Sequence, residues 1–222
     1  MIVEKYPKDT AIYKFDYSTV NEINITRVSS SRTLKYKFDE NSRISDIQYR
    51  GSTGQLMFTI AFTYNGSTAT EVYYDYTTTR PYRQDSVIFF LGSDGLATHS
   101  VSYFGSIHNY VDSLEYTWKD HDLVGMVRRS EGTTKSFKLT YDNSYNPLYV
   151  SELPVEFFLT FGYDFFMACN KHNCIEVKSS DGEYTIQTES REYNSDNYLT
   201  RIITDIQAEQ GKFETKFEFV PK

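Results

Sequence analysis

Apolar and polar residues alternate along most of this chain with a period of two. Phe58, Ile60 and Phe62, for example, alternate with threonine, methionine and alanine, and the pattern recurs over 114–119 and 213–219. A period of two built from aromatic and β-branched residues predicts β-strands that bury one face. The chain is therefore predicted to be all-β.

Polar turns separate the predicted strands at a regular spacing. Each unit is an aromatic residue, a short run of Asp, Asn, Gly or Ser, and an aliphatic residue that starts the next strand. The restarting aliphatics are Ile44, Leu96, Leu123, Leu148 and Leu199. Successive restarts are 52, 27, 25 and 51 residues apart, which is one or two units of about 26. A unit of this size is typical of one β-hairpin with strands of about 9–10 residues.

The hairpin units predict one long antiparallel meander of up to roughly sixteen strands in a single β-meander domain, 1–222, because chain neighbours usually pair. A sheet this wide twists, so we expect it to curl into a barrel or half-barrel, or to fold into two layers. About eight strands can fill a barrel with their own side chains, whereas about sixteen leave a lumen. An apolar lumen must flatten, take a plug or hold a ligand.

The most apolar stretch of the chain, residues 149–168, departs from this pattern. It fits a strand, and it also fits a helix with Val155 and Leu159 on one face and Pro154 in the first turn. Periodicity does not choose between them. The alternatives are a buried central strand pair and a short helical insert near 152–170 that plugs the concave side of the sheet.

Charge and composition exclude several classes of protein. The chain has 222 residues, with 30 acidic and 23 basic side chains and a net charge of −7. An acidic balance argues against nucleic acid as a partner. No run approaches the roughly 18 apolar residues of a transmembrane helix. The 20 tyrosines and 16 phenylalanines can supply a buried core, which excludes wholesale disorder.

The sequence nominates no catalytic residue, cofactor or metal site. It lacks a nucleophile elbow, a phosphate-binding loop, a dinucleotide loop and a zinc-protease helix. Its acidic turns suit hairpins better than calcium loops. His121 and His172 are expected to be solvated turn residues. Cys169 and Cys174 bracket His172, so they could form a disulfide across a hairpin end, remain separate thiols, or contribute to a zinc site.

The last 75 or so residues resemble a family of secreted lipoproteins from gut Bacteroidetes. The shared motifs are Tyr141-Asp with Asn146-Pro-Leu148, then Asn170-Lys-His-Asn173, Tyr184, Thr188-Glu, and Tyr193-Asn-Ser-Asp-Asn-Tyr-Leu-Thr-Arg-Ile202. The turns also resemble the tyrosine-aspartate hairpin repeats of large bacterial surface proteins. Members of the lipoprotein family have no established function and a porin-like β fold, and some have been suggested to bind lipid. The resemblance brings no catalytic residues.

The resemblance also implies an exported protein of the periplasm or cell surface. Residues 1–7 lack the basic and apolar segments of a secretory leader, and the family's lipidated cysteine is absent. From these residues alone, the protein is either cytosolic or has lost its leader; the resemblance implies the second, with membrane association only through a lipid anchor that this chain does not carry.

The leading functional hypothesis is a non-enzymatic β-shell that holds a lipid-like or other hydrophobic small molecule against its concave apolar face. The candidate lining residues are Phe58, Phe62, Tyr64, Trp118, Phe137, Tyr141, Phe217 and Phe219. One alternative is a cell-surface adhesion or scaffold module that binds protein or glycan through aromatic loops. Another is an outer-membrane β-barrel, whose apolar face would point to lipid. A hydrolase is a third, although no carboxylate pair is evident.

Overall fold

The computed structural model describes most of the chain. The described residues are 9–77, 82–104, 110–130, 132–146, 149, 153, 169–182, 185–196, 199–206 and 211–220. The predicted helical insert near 152–170 lies outside the described residues, except for Leu153, Cys169 and Asn170.

Fifteen strands and one short 3-10 helix, Val28–Ser30, form the described part of the chain. The strands are β1 (Asp9–Asp16), β2 (Glu22–Arg27), β3 (Arg32–Phe38), β4 (Ile44–Arg50), β5 (Leu56–Asn65), β6 (Thr68–Asp75), β7 (Tyr82–Leu91), β8 (Ala97–Phe104), β9 (Tyr110–Lys119), β10 (Asp122–Ser130), β11 (Thr133–Tyr145), β12 (His172–Ser179), β13 (Thr185–Tyr193), β14 (Leu199–Ile206) and β15 (Gly211–Val220). The all-β prediction is confirmed.

All the described strands belong to one sheet, in which each strand pairs antiparallel with its neighbours in the chain. The sheet returns to its start, because β1 pairs in parallel with β15, with Ile12 opposite Lys216. The parallel pair follows from the odd number of described strands, since the first and last strands of such a meander run in the same direction. The predicted long antiparallel meander, curled into a barrel or half-barrel, is confirmed.

The two faces of the sheet differ sharply in polarity. Side chains opposite one another on β2 to β5 are buried and apolar on one face, as in the row Ile25, Leu34, Tyr49 and Phe58. The adjacent row on the other face is polar: Asn24, Lys35, Gln48 and Thr59. We call the buried face the inner face and the other the outer face. This alternation is the one predicted from the sequence.

The repeat of about 26 residues corresponds to a hairpin with a β-bulge just after the strand restarts. The pairing register skips one residue at Ser45, Thr98, Val124, Ile175 and Thr200. Three of these bulges share a hydrogen bond from the hydroxyl of the bulged residue to a carbonyl eight residues earlier. The bonds run from Ser45 to Lys37 (3.2 Å), from Thr98 to Phe90 (3.0 Å) and from Thr200 to Glu192 (3.1 Å). A bulge increases local twist, so regular bulges help a wide sheet to curl.

One predicted turn is wrong. The sequence places a turn after Tyr141, whereas β11 continues to Tyr145 and pairs with His172 through an irregular register. Leu148, the restart predicted for this unit, lies outside the described residues. The Asp-Asn-Ser run that suggested a turn therefore lies in the distorted end of a strand, because bulges accept the same residue types as turns.

Removing the hydroxyl of a bulged residue should destabilise the fold slightly. For Thr200→Val we expect a loss of about 0.5–1.5 kcal/mol, the usual contribution of one such hydrogen bond. Urea unfolding followed by circular dichroism measures it. Thr134→Val, at an exposed strand threonine, is the matched control; equal effects in the two variants would show that the bulge hydroxyl contributes nothing specific.

Candidate ligand-binding interior

The structure places six of the eight predicted lining residues along the inner face. Phe58 and Phe62 are buried at 8% exposure, and four others are partly buried against the same apolar cluster: Tyr64, Trp118, Phe137 and Tyr141. Phe217 and Phe219 lie on β15 opposite Tyr13 and Phe15, but their side chains lie outside the description. Which of these residues contact a ligand remains a prediction.

Three lining aromatics are fixed by hydrogen bonds to the backbone of the preceding strand. Their polar atoms donate to carbonyls: Tyr64 Oη to Ile44 (2.9 Å), Trp118 Nε1 to Ala97 (2.6 Å) and Tyr141 Oη to Leu123 (2.6 Å). Burial raises the pKa of the Tyr64 and Tyr141 hydroxyls well above the ordinary value, so both rings stay neutral. Their polar ends are satisfied, which leaves the rings as apolar lining.

Part of the inner face is packed by its own aromatic side chains. The ring centroids of Tyr49 and Phe58 lie 4.9 Å apart, and those of Phe58 and Tyr73 lie 5.3 Å apart. Both distances are in the range of stabilising aromatic contacts. This cluster on β4, β5 and β6 is therefore one wall of the interior.

Two carboxylates also occupy the inner face. Glu71 alternates with Ala69 and Tyr73 on β6 and is 2% exposed. Asp112 alternates with Leu114 on β9 and is 0% exposed. Buried carboxylates are rare unless they are paired or bind a ligand. Glu71 and Asp112 therefore give the interior an acidic wall in addition to its apolar wall.

Asp112 is held by an arginine of the next strand. Its Oδ2 atom accepts hydrogen bonds from Nε (2.7 Å) and Nη2 (2.5 Å) of Arg128, whose side chain is 48% exposed. The Oδ1 atom of Asp112 is buried and accepts no hydrogen bond from the residues that the structure describes. One oxygen of this carboxylate is thus fixed and the other is left for a further donor.

The two carboxylates lie at the ends of one cross-strand row of the inner face. Glu71, Val87, Ser102 and Asp112 lie opposite one another on β6 to β9. The hydroxyls of Ser100 and Tyr116 are hydrogen-bonded at 2.7 Å. We call Glu71, Ser100, Ser102, Asp112 and Arg128 the polar band. All of its members except Arg128 are buried.

The opposite end of β10 carries a second polar cluster, which we call the clamp: the buried Asp122 and Asn170 and the partly buried His172. Asp122 accepts the backbone N–H of His172 at its Oδ1 atom (2.8 Å) and lies 2.6 Å from His172 Nδ1 at its Oδ2 atom. Asn170 Oδ1 accepts the backbone N–H of Leu123 (2.7 Å). The clamp ties β10 to the chain entering β12, across the intervening strand β11.

The expectation that His172 is a solvated turn residue is wrong. His172 begins β12, and its side chain is 25% exposed against Asp122. His121 does lie in an exposed two-residue turn, where Asp120 and His121 both have positive φ values of 54° and 67°. His121 and His172 have similar neighbours in the sequence, because both lie among Asp, Asn and Lys. Only the contact between β10 and β12 shows that they differ in structural position.

Both cysteines are buried, and no disulfide joins them in this structure. Burial is the main reason that the pKa of each rises from an ordinary 9.0 to about 12. Neither is an activated nucleophile, which needs a lowered pKa. No group of three potential metal ligands occurs among the described residues, so the zinc alternative has no support there. A disulfide formed in an oxidising compartment remains a prediction.

The buried thiols should react slowly with alkylating reagents. Because a raised pKa reduces the thiolate fraction about tenfold per unit, we expect roughly 1000-fold slower labelling at pH 8 than in the unfolded chain. Timed iodoacetamide labelling with mass spectrometry measures the rate, and the same reaction in urea is the control. Comparable rates in the two conditions would contradict buried thiols, and unlabelled cysteine in both would reveal the disulfide.

The sequence pattern indicates the two buried carboxylates but not the clamp. Asp112 shares its parity with Leu114, Tyr116 and Trp118, so the alternation alone places a carboxylate on the apolar face. The same holds for Glu71 with Ala69 and Tyr73. The clamp has no such signal, because Asp122 lies 50 positions from His172 and the two meet only when β10, β11 and β12 pair.

Comparisons with known proteins add a structural likeness but no family. No protein-family model matches the chain, and no curated protein matches it. A porin-like protein from Bacteroides uniformis ATCC 8492 is similar over 91% of each chain, with 11% sequence identity and a TM-score of 0.46. A porin-like protein from Bacteroides vulgatus ATCC 8482 covers 89% of this chain and 81% of its own, with 10% identity and a TM-score of 0.34. Among the described residues, no helix is long and apolar enough to span a bilayer.

Proposed function

We propose that this protein is a non-enzymatic, exported β-shell that binds a hydrophobic, lipid-like molecule against its inner face. The observation that carries the proposal is a closed order of fifteen described strands with apolar side chains inside. A sheet of about eight strands fills itself, and one of about sixteen encloses a lumen. An apolar space of that width favours an apolar occupant over water.

The chemistry of the outer face supports a shell in water over a barrel in lipid. Cross-strand ion pairs lie on it: Lys35 with Glu22 (2.8 Å), Lys37 with Asp46 (3.9 Å) and Arg129 with Glu115 (2.6 Å). A lipid-embedded barrel presents an apolar band outward, where charged side chains are costly. This arrangement is the inverse of the one that the outer-membrane alternative requires.

The described surface gives less support to adhesion through aromatic loops. Its exposed large hydrophobic residues are Val20, Val28 and Tyr145, of which one is aromatic. Isolated exposed apolar residues are common on any protein surface. An interaction surface would present a contiguous patch, so the inner face is the stronger candidate for binding.

The single tryptophan makes the proposal testable. Trp118 lies partly buried against the apolar cluster, so a brominated long-chain molecule bound inside should quench its fluorescence. We expect saturable quenching by a brominated fatty alcohol or fatty acid delivered from cyclodextrin, and no quenching by the unbrominated analogue. Native mass spectrometry of freshly purified protein should show the bound mass.

A relocated tryptophan supplies the control. In Trp118→Phe combined with Lys35→Trp, the indole moves to the outer face of a distant strand, and the same ligand should quench it weakly. Absence of saturable quenching of Trp118 by any long-chain ligand, with a ligand-free native mass spectrum, would contradict the proposed function.

A further inference from the structure

The polar band gives the interior a chemical preference that an apolar cavity alone lacks. Asp112 is fully buried on the inner face, and its Oδ1 atom accepts no hydrogen bond within the described part of the chain. Such an atom is costly, and native proteins usually satisfy it with water or a ligand. A donor supplied from inside the barrel would complete the site.

The ion pair with Arg128 determines how the Oδ1 atom of Asp112 is oriented. The Nε and Nη2 atoms of Arg128 both bond to Oδ2 of Asp112, which fixes the position of the carboxylate. The outer face of the same strand pair has a similar ion pair, between Glu115 and Arg129, in which both side chains are about half exposed. The inner pair therefore differs from the outer one mainly by the burial of its carboxylate and by the Oδ1 atom that accepts no hydrogen bond within the described part of the chain.

A second carboxylate, that of Glu71, adds to the acidic character of the site. Glu71 lies on the same cross-strand row as Asp112, three strands away, with Val87 and Ser102 between them. Two buried carboxylates favour a ligand group that donates hydrogen bonds and disfavour one that carries a negative charge. This preference excludes the carboxylate of a fatty acid as the best-matched head group.

We propose that Asp112, supported by Glu71 and Ser102, binds the hydrogen-bond-donating head of an amphiphile, a hydroxyl or an amine, whose apolar chain lies along the inner face toward Trp118. This inference rests on the proposed function. Asp112 and Trp118 share strand β9 and the same parity, six residues apart, which is about 20 Å at the usual strand rise. The chain of a long amphiphile can cover that distance, with its tail near Trp118.

A head-group series on the unmodified protein gives the first test. Hexadecanol, hexadecylamine and palmitate are compared by competition against a brominated fatty alcohol that quenches Trp118. We expect the alcohol and the amine to bind at least about tenfold more tightly than palmitate, since a hydrogen bond to a charged group contributes that much. The stronger of the two identifies the head group as neutral or cationic.

The position of the bromine tests the orientation. An alcohol brominated near its methyl end should quench Trp118 more strongly than one brominated near its hydroxyl. The reverse order would place the head at the wrong end of the barrel and overturn the assignment.

Asp112→Asn tests the residue itself, with Glu115→Gln as the matched control in the outer ion pair of the same strands. We expect Asp112→Asn to weaken the alcohol or amine about tenfold and to reduce the discrimination against palmitate, and Glu115→Gln to change neither. If Asp112→Asn does not fold, Glu71→Gln provides a second inner-face variant, and the head-group series decides without it.

The outcomes separate the two proposals. Tight binding of all three ligands with equal affinity, unchanged by Asp112→Asn, would mean that a water molecule alone satisfies Asp112; this inference fails and the proposed function stands. Binding of none of the ligands contradicts the proposed function as well.

Discussion

Truncating the side chain of Phe15, on strand β1, should cause a large loss of stability. Phe15 is 1% exposed on the inner face of β1, its ring stacks with Tyr17 at 6.4 Å, and its backbone pairs with both β2 and β15. For Phe15→Ala we expect a loss of about 3–5 kcal/mol, the usual cost of removing a buried aromatic ring. In a domain of this size that lowers Tm by about 6–20 °C. Urea unfolding and differential scanning calorimetry measure the two quantities.

Lys14→Ala is the control for that variant, because Lys14 is the exposed neighbour on the outer face of the same strand. We expect it to change stability by less than about 0.5 kcal/mol. Equal losses in the two variants would show that β1 has no buried face, and the assignment of inner and outer faces would fail.

The clamp should give the second large effect. Asn170 is fully buried, accepts the N–H of Leu123 at 2.7 Å and offers its own carbonyl to Asn146 Nδ2 at 2.8 Å. In Asn170→Ala the N–H of Leu123 loses its acceptor, so we expect a loss of about 1–3 kcal/mol. Hydrogen exchange should also accelerate at Leu123 ahead of global unfolding, because that amide is the one exposed.

Asn143→Ala serves as the comparison, since Asn143 is an exposed asparagine on β11, the strand that the clamp crosses. We expect Asn143→Ala to change the free energy of unfolding very little. An unaltered exchange rate at Leu123 in Asn170→Ala would argue that the clamp does not hold the start of β10.

The sequence predicts the fold well because the fold depends on local patterns. Alternation defines both faces, as Phe58, Ile60 and Phe62 illustrate, and the spacing of the turns defines the meander. The closing pair is different, because nothing in the alternation of Ile12 and Lys216 states that β1 and β15 are neighbours. Only the strand number and the accumulated twist of the sheet bring them together.

The candidate site was predicted in part. The aromatic lining follows from parity, and the same parity places Asp112 and Glu71 on the apolar face. The clamp could not be predicted, because Asp122 and His172 meet across an intervening strand through a contact that no local pattern encodes. The role of Ser45, Thr98 and Thr200 at their bulges could not be predicted for a related reason. A bulge is a property of two strands in register, and turn chemistry describes only one of them.

Closure of the sheet can be measured directly with an engineered disulfide across its two terminal strands. Ile12 lies opposite Lys216, and Lys216 lies opposite Arg201 on the next strand. In a background of Cys169→Ser and Cys174→Ser, the pair Ile12→Cys with Lys216→Cys should oxidise quantitatively, because neighbouring strands lie about 4.8 Å apart and a disulfide needs a Cα separation of about 5.5 Å. The pair Ile12→Cys with Arg201→Cys is two strands apart and should remain reduced. A failure of the first pair to form, in a protein with native circular dichroism, would contradict the closed shell on which the binding interior depends.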